Sequence, residues 1–122
     1  MENINIVEKT INKFIAKDYF YTKSAIENCI KVNSKVATTK TEAEVKKLCT
    51  DEIKLNHFNM SMLTYKTLKL QIERKNLNFL IERLRYDQQL SIKFYFLITG
   101  VKLPKTNKEI VKYLTKKYEN NG

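Results

Sequence analysis

The side chains with the clearest potential for chemistry in this sequence are basic, and most of the basic excess lies in the second half. Residues 60–122 carry 13 Lys and Arg against 5 Asp and Glu, whereas residues 1–59 carry 10 against 8. Clustered positive side chains attract phosphate groups and release counterions when they bind them. The charge therefore predicts an anionic partner, either nucleic acid or an acidic or nucleic-acid-binding protein surface.

Two groups of residues are candidates for phosphate contacts. Lysines recur every four residues near the C-terminus, opposite the apolar side of the predicted last helix, and Lys105 and Lys117 extend that surface. Arginines on the polar strip of a long predicted helix offer planar forks suited to phosphates, beside Gln71 and Asn78, which can read adenine. The predicted nucleic-acid-binding residues are Arg74, Lys75, Arg85, Lys105, Lys108, Lys112 and Lys116.

Both groups have a plain structural interpretation as well. A run of exposed lysines is often only the solvated face of a helix. The arginines of the long helix are close in sequence to Glu73 and Glu82, so intrahelical ion pairs, each contributing a few tenths of a kcal/mol, would also explain them. Arg83 lies nearer an apolar stripe and is expected to pair with a carboxylate.

No residue pattern points to catalysis or to a metal. His57 is the only histidine, and the chain has two cysteines, Cys29 and Cys49, without the clustered spacing of a zinc site or a disulfide framework. The only glycines, at positions 100 and 122, cannot form a phosphate-cradling loop. We predict free thiols on buried helix faces, no cofactor, no metal site, no catalytic residue and no enzymatic activity.

The elements that must position these residues are helices. With 43% hydrophobic residues in 122, only two glycines and one proline, the chain suits one helical domain over residues 1–122. Apolar spacings of three and four predict a helix over residues 3–17. Capping-box patterns beginning at Ser24, Thr41 and Thr106 predict three further helix starts. The third helix is expected to end near residues 56–59.

The segment from about residue 60 to 86 reads as one long helix with two apolar stripes, which would make it the centre of a compact all-α bundle of five to six helices. Leucines spaced by sevens on one stripe allow a different interpretation, a coiled-coil homodimer. Ordinary core packing is favoured because two of the companion core positions, Thr67 and Arg74, are polar. The homodimer face would comprise Leu63, Leu70, Leu77 and Leu84.

Residues 90–98 are ambiguous between strand and helix, because their start alternates and their end is apolar throughout. We predict a buried helix over residues 87–99 that ends at Gly100, since a lone strand would find no partner. The last two helices resemble a loose helix-turn-helix, but the connection between them is longer than that motif uses.

The sequence thus predicts a non-catalytic basic helical protein with a regulatory role, which binds nucleic acid or a nucleoprotein machine. The alternative is a small inhibitor or adaptor, of the kind encoded by phages and mobile elements, that binds a larger protein complex. No apolar run is long enough for a membrane span and no signal peptide is evident. We expect a cytoplasmic protein.

Overall fold

The computed structural model describes residues 3–36, 39–85 and 89–119, and every regular element in those ranges is helical. In chain order the elements are α1 (Ile4–Ala16), α2 (Thr22–Val36), α3 (Glu42–Glu73), α4 (Leu77–Leu84), α5 (Gln89–Thr99), α6 (Asn107–Leu114) and a short π-helical segment (Thr115–Glu119). The all-α class and the number of helices are confirmed. None of the helices in these ranges is both long and apolar enough to cross a membrane.

The chain divides into two compact units. The larger unit comprises Met1–Glu8 and Met62–Gly122, and the smaller unit comprises Lys9–Ser61. All seven candidate phosphate-binding residues belong to the larger unit, and both cysteines belong to the smaller one. The expectation of a single domain over residues 1–122 stays a prediction.

The larger unit contains most of the buried apolar side chains. Helix α4 packs against α5, α6 and the π-helical segment. The rings of Tyr65 on α3 and Phe94 on α5 meet edge to face, with their centroids 5.3 Å apart. Full burial of each such side chain contributes about 2 kcal/mol. The described core comprises Val7, Tyr65, Leu68, Leu80, Leu84, Leu90, Phe94, Tyr95, Leu103, Ile110, Leu114 and Tyr118.

The smaller unit has a much smaller core, and a disulfide bond reinforces it. Its buried apolar side chains are Ile11, Ile15, Val45 and Cys49. Cys49 on α3 is bonded to Cys29 on α2, so the prediction of free thiols is wrong. No local pattern signals this pairing, because the two cysteines are 20 residues apart and meet only through the packing of two helices.

The turn between α1 and α2 has hydrogen bonds typical of a Schellman motif. The amide of Tyr19 donates to the carbonyl of Phe14 at 3.0 Å, and Asp18 adopts a left-handed conformation with φ of 60°. The rings of Phe14 and Tyr19 are in contact, with centroids 5.1 Å apart. The Asp18 carboxylate accepts the amide of Lys23 at 2.9 Å. Helix α2 therefore begins at Thr22, two residues before the predicted cap at Ser24.

The long helix of this fold starts earlier than the sequence indicated. The predicted cap at Thr41 is confirmed, because its hydroxyl accepts the amide of Glu44 at 3.2 Å. The predicted end near residues 56–59 is wrong, and α3 continues to Glu73. No glycine or proline interrupts this stretch, and the half-buried His57 bonds to the Thr22 hydroxyl at 3.0 Å instead of ending the helix.

Helix α3 ends well before residue 86, where the sequence placed the end of the long helix. The amide of Asn76 donates to the Gln71 carbonyl at 3.0 Å, and that of Lys75 donates to the Ile72 carbonyl at 3.1 Å. Lys75 has a φ of 55°, so this is a second Schellman ending, with lysine where glycine is usual. The Asn76 side chain then caps α4 by accepting the amide of Phe79 at 3.2 Å.

This break removes the predicted continuous leucine zipper. Leu63 and Leu70 lie on α3 and are exposed, whereas Leu77 and Leu84 lie on α4. Leu84 is fully buried in the core of the larger unit. A homodimer face built from all four leucines on one helix is therefore not available.

The predicted helix over residues 87–99 is confirmed where it is described, as α5, and residues 87 and 88 lie outside the described ranges. Gly100 follows with a φ of 75°, a conformation that only glycine adopts without cost. The amide of Gly100 donates to the Phe96 carbonyl at 2.7 Å and closes the helix. Pro104 lies in the connection to α6, as expected.

Candidate nucleic-acid interface

Helix α6 presents opposite sides to the core and to solvent. The hydroxyl of Thr106 accepts the amide of Glu109 at 3.2 Å, which confirms the third predicted cap and sets where the helix begins. Ile110 and Leu114 point into the core, and Tyr118 continues this side in the π-helical segment. On α6, the residues two positions before Ile110 and Leu114 are about 200° around the helix from them, so they must face outward.

The outward positions are lysines. Lys108, Lys112 and Lys116 are all exposed, and Lys105 is exposed just before the helix. Lys108 and Lys112 are four residues apart on α6, so their backbone positions are separated by about 6 Å along the axis. We call Lys105, Lys108, Lys112 and Lys116 the lysine face. They form the most regular group of cations in the larger unit.

Lys117 does not belong to this face, although the sequence suggested that it extends it. Its ammonium group donates to the Tyr113 hydroxyl at 3.3 Å and lies 6.0 Å from the centre of the Tyr95 ring. Its stem therefore packs along aromatic side chains of the same unit. It is half-buried, which leaves the lysine face to the other four residues.

The aromatic side chains under α6 hold its C-terminal end in place. The hydroxyls of Tyr95 on α5 and Tyr118 are hydrogen-bonded at 2.8 Å in the core. Burial raises the pKa of Tyr95 well above its usual range, and the hydrogen bond to Tyr118 raises it further. Tyr95 therefore keeps its proton at physiological pH. The role of the two phenols is to position the segment that carries Lys116 and Lys117.

The basic residues of the predicted long-helix strip fall on different elements. Arg74 and Lys75 are exposed in the turn between α3 and α4, and Arg85 follows the last residue of α4. Because α3 ends at Glu73, these three do not share one straight polar edge with Gln71 and Asn78. The Gln71 side chain instead accepts the Asn76 amide group at 2.8 Å.

Arg83 of α4 and Arg85, which follows this helix, both have intramolecular partners. Arg85 is half-buried, and its guanidinium lies 3.7 Å from the Glu82 carboxylate. This contact is one of the ion pairs with glutamate that the sequence offered as a plain structural explanation of these arginines. Arg83 stacks over the Phe79 ring, with its guanidinium carbon 5.5 Å from the ring centre. Of the predicted strip, Arg74 and Lys75 are therefore better disposed toward an outside ligand than Arg85.

The remaining reactive side chains are used in the structure of the smaller unit. His57 bonds to Thr22, and its ring also contacts Phe20 with centroids 5.5 Å apart. Across the described part of the chain, no group of three or more His, Cys, Asp or Glu side chains could hold a metal ion.

Sequence reasoning missed two features of the molecule. The Tyr95–Tyr118 pair could have been anticipated, because Tyr118 continues the four-residue spacing of Ile110 and Leu114. The Cys29–Cys49 bond had no such signal.

No protein-family profile, curated protein or solved structure matches this chain. Its function must therefore be inferred from the charge, exposure and geometry of its own residues.

Proposed function

We propose that this protein is a non-catalytic, regulatory nucleic-acid-binding protein whose lysine face contacts the phosphate backbone. The observation that carries the proposal is the exposure of Lys108, Lys112 and Lys116 on the side of α6 opposite the core. Lysine ammonium groups are flexible point charges that neutralise phosphates without reading bases. Binding is therefore expected to depend weakly on sequence and strongly on salt.

The salt dependence follows from the number of phosphates neutralised. Four contacts by the lysine face give a slope of log affinity against log salt of about −3.6 on duplex DNA and about −2.8 on single strands. On duplex, affinity would fall about 150-fold between 50 and 200 mM salt. Contacts from Arg74 and Lys75 would make the slope steeper by about one each.

The test is fluorescence anisotropy with labelled duplex and single-stranded DNA and RNA over that salt range. Changing Lys108, Lys112 and Lys116 to Gln should make the duplex slope shallower by about 2.7. A matched control changes Lys9, Lys13 and Lys17 to Gln, because these exposed lysines of the smaller unit have the same spacing. Equal effects of the two triple variants would show that only total charge matters. No binding of the unmodified protein at low salt would reject the proposal.

A second candidate function, a protein-binding inhibitor or adaptor, is favoured by exposed apolar side chains on α3. Leu48 and Leu55 are 50% and 58% exposed in the smaller unit, with Asp51 and Glu52 between them. Exposed apolar patches rimmed by polar residues are typical of protein-binding surfaces. Under this alternative, a partner would be retained from nuclease-treated lysate by the unmodified protein and lost with the Leu48→Ser/Leu55→Ser variant.

A cytoplasmic location stays part of the proposal. Nucleic acid is plentiful there, but stable structural disulfides are rare in that reducing compartment. Disulfides that do form in the cytosol are usually transient, catalytic or redox-sensing. If the protein is cytoplasmic, the bond between Cys29 and Cys49 is therefore expected to be of one of these kinds.

A further inference from the structure

The disulfide bond is the principal link between α2 and α3. Among the described side chains of α2, Thr22 alone is buried, and its bond to His57 joins one end of the helix to α3. Ala25, Ile26, Cys29 and Ile30 are only half-buried, and the other described side chains of α2 are exposed. A helix with so little apolar burial has little packing energy to hold it in place.

Residues of α2 and α3 together line two surface grooves. One groove of about 720 Å³ has Ile26 and Ile30 of α2 and Ala43 of α3 among its lining residues. A second groove of about 510 Å³ includes Asn33 and Cys49 among its lining residues. The second groove therefore borders one of the two bonded cysteines.

The two sulfur atoms have different environments. Cys49 is 2% exposed, whereas Cys29 is half-buried, so an incoming thiolate meets Cys29 first. The side-chain amide of Asn33 donates to the Cys29 carbonyl at 2.8 Å. The same nitrogen lies 3.4 Å from the Cys29 sulfur and 3.8 Å from the Cys49 sulfur. A donor in this position favours the negative charge that develops on the leaving sulfur.

We propose that Cys29–Cys49 is a reversible thiol–disulfide exchange site and that its reduction by a dithiol releases α2 from α3. A thiolate of the dithiol forms a bond to the Cys29 sulfur, the Cys29–Cys49 bond breaks, and Cys49 leaves as a thiolate that takes up a proton. The second thiol of the reductant then attacks the mixed disulfide and releases Cys29. The protein gains two electrons and two protons, and the dithiol becomes a disulfide.

Release of α2 follows from the loss of a cross-link in a unit with a small core. The bond closes a loop of about 20 residues and so lowers the entropy of the opened chain. Breaking it is expected to raise the equilibrium constant for local opening of α2 by roughly 200-fold. Among the described residues of the smaller unit, four apolar side chains are buried, and one of them is the disulfide partner Cys49, so little packing offsets that loss. Binding of nucleic acid by the lysine face is a separate property, so this inference does not rest on it.

The test compares hydrogen exchange of the oxidised full-length chain with that of the chain reduced by dithiothreitol. Amides of residues 22–36 should exchange about 200-fold faster after reduction, while α4, α5 and α6 keep their protection. The Cys29→Ser/Cys49→Ser variant should behave like the reduced protein without any reductant. Reoxidation of the reduced chain should restore the protection of α2.

Two results would overturn the proposal. Equal protection of α2 in both redox states would mean that packing, and not the bond, holds the helix. Loss of amide protection across the whole chain would mean that the bond stabilises the entire fold and does not hold α2 alone. A second measurement checks the chemistry: with limiting glutathione and quenching by N-ethylmaleimide, mass spectrometry should find glutathione on Cys29. Glutathione found mainly on Cys49 would contradict the assigned order of attack.

Discussion

Replacing Lys75 with glycine is expected to stabilise this protein. Lys75 follows the end of α3 and has a φ of 55°, a left-handed conformation that its Cβ atom makes unfavourable. The hydrogen bonds at this turn join backbone atoms only: the Lys75 amide donates to the Ile72 carbonyl at 3.1 Å, and the Asn76 amide donates to the Gln71 carbonyl at 3.0 Å. Both bonds therefore remain after the substitution. Its side chain is exposed, so no packing is lost.

The magnitude follows from two opposing effects. Removing the Cβ atom relieves about 1–2 kcal/mol of conformational cost. Glycine makes the unfolded chain more flexible, which costs about 0.5–1 kcal/mol. The net gain in the free energy of unfolding is about 1 kcal/mol, or an increase in Tm of about 4 °C for a chain of this length.

The assay is urea unfolding followed by far-ultraviolet circular dichroism, with equal m values confirming that only stability has changed. The matched control is Lys66→Gly, because Lys66 is an exposed lysine inside α3. Glycine there should cost about 1 kcal/mol, as in any helix interior. Opposite signs for the two variants are the expected outcome. If Lys75→Gly destabilises as much as Lys66→Gly, α3 continues through residue 75 and the break is wrong.

Two further predictions concern the larger unit. Tyr95→Phe removes a buried hydrogen bond and should cost about 1–2 kcal/mol at neutral pH, because the Tyr118 hydroxyl is left without this partner. Above a pH of about 10, Tyr95 loses its proton in the unfolded chain but keeps it in the folded chain. The contribution of Tyr95 to the free energy of unfolding is therefore complete below that pH and is lost as the pH rises above it. The stability of Tyr95→Phe, measured by urea unfolding at a series of pH values, should therefore fall less steeply at high pH; an unchanged slope would contradict the raised pKa. Thr106→Ala removes the cap of α6 and should lower the free energy of unfolding by about 1 kcal/mol, whereas Thr106→Ser should be nearly neutral. Equal losses for the two substitutions would show that the hydroxyl is not the cap.

The sequence predicted helices well where a cap and an apolar period agreed. Thr41 and Thr106 both begin helices as expected, because a hydroxyl three residues before a glutamate satisfies amides of the first turn locally. The cap expected at Ser24 failed because Asp18 takes the competing role, through a bond to the amide of Lys23. Local patterns of equal quality thus compete, and tertiary context decides between them.

The ends of the long helix could not be read from the sequence, because its break uses residues with ordinary helix propensity. Lysine at residue 75 does not signal a left-handed conformation, and Asn76 acts as a cap only because the chain has already turned. The apolar periodicity of residues 60–86 continues across the break, so it predicted one helix where there are two. The periodicity placed Tyr65 and Leu68 correctly on a buried side of α3, but Leu63 and Leu70 of the other stripe are exposed.

The candidate site was predicted in part. The exposure of Lys108, Lys112 and Lys116 follows from the four-residue spacing of Ile110, Leu114 and Tyr118, which explains why it matches the prediction. The contribution of Arg85 could not be judged in that way, since its contact with Glu82 depends on where α4 ends. Pairing of Cys29 with Cys49 needs the relative placement of α2 and α3, which no local pattern contains.

Asn76 contributes to the ends of two helices, because its backbone amide closes α3 and its side chain caps the start of α4. The joint between α3 and α4, residues 74–76, therefore has a fixed length. One inserted or deleted residue would rotate α4 by about 100° about its axis. Leu80 and Leu84 would then leave the core, and exposed side chains such as Asn78 would turn toward it. Substitutions at this joint change stability modestly, whereas a change of its length would alter which side of α4 is inside.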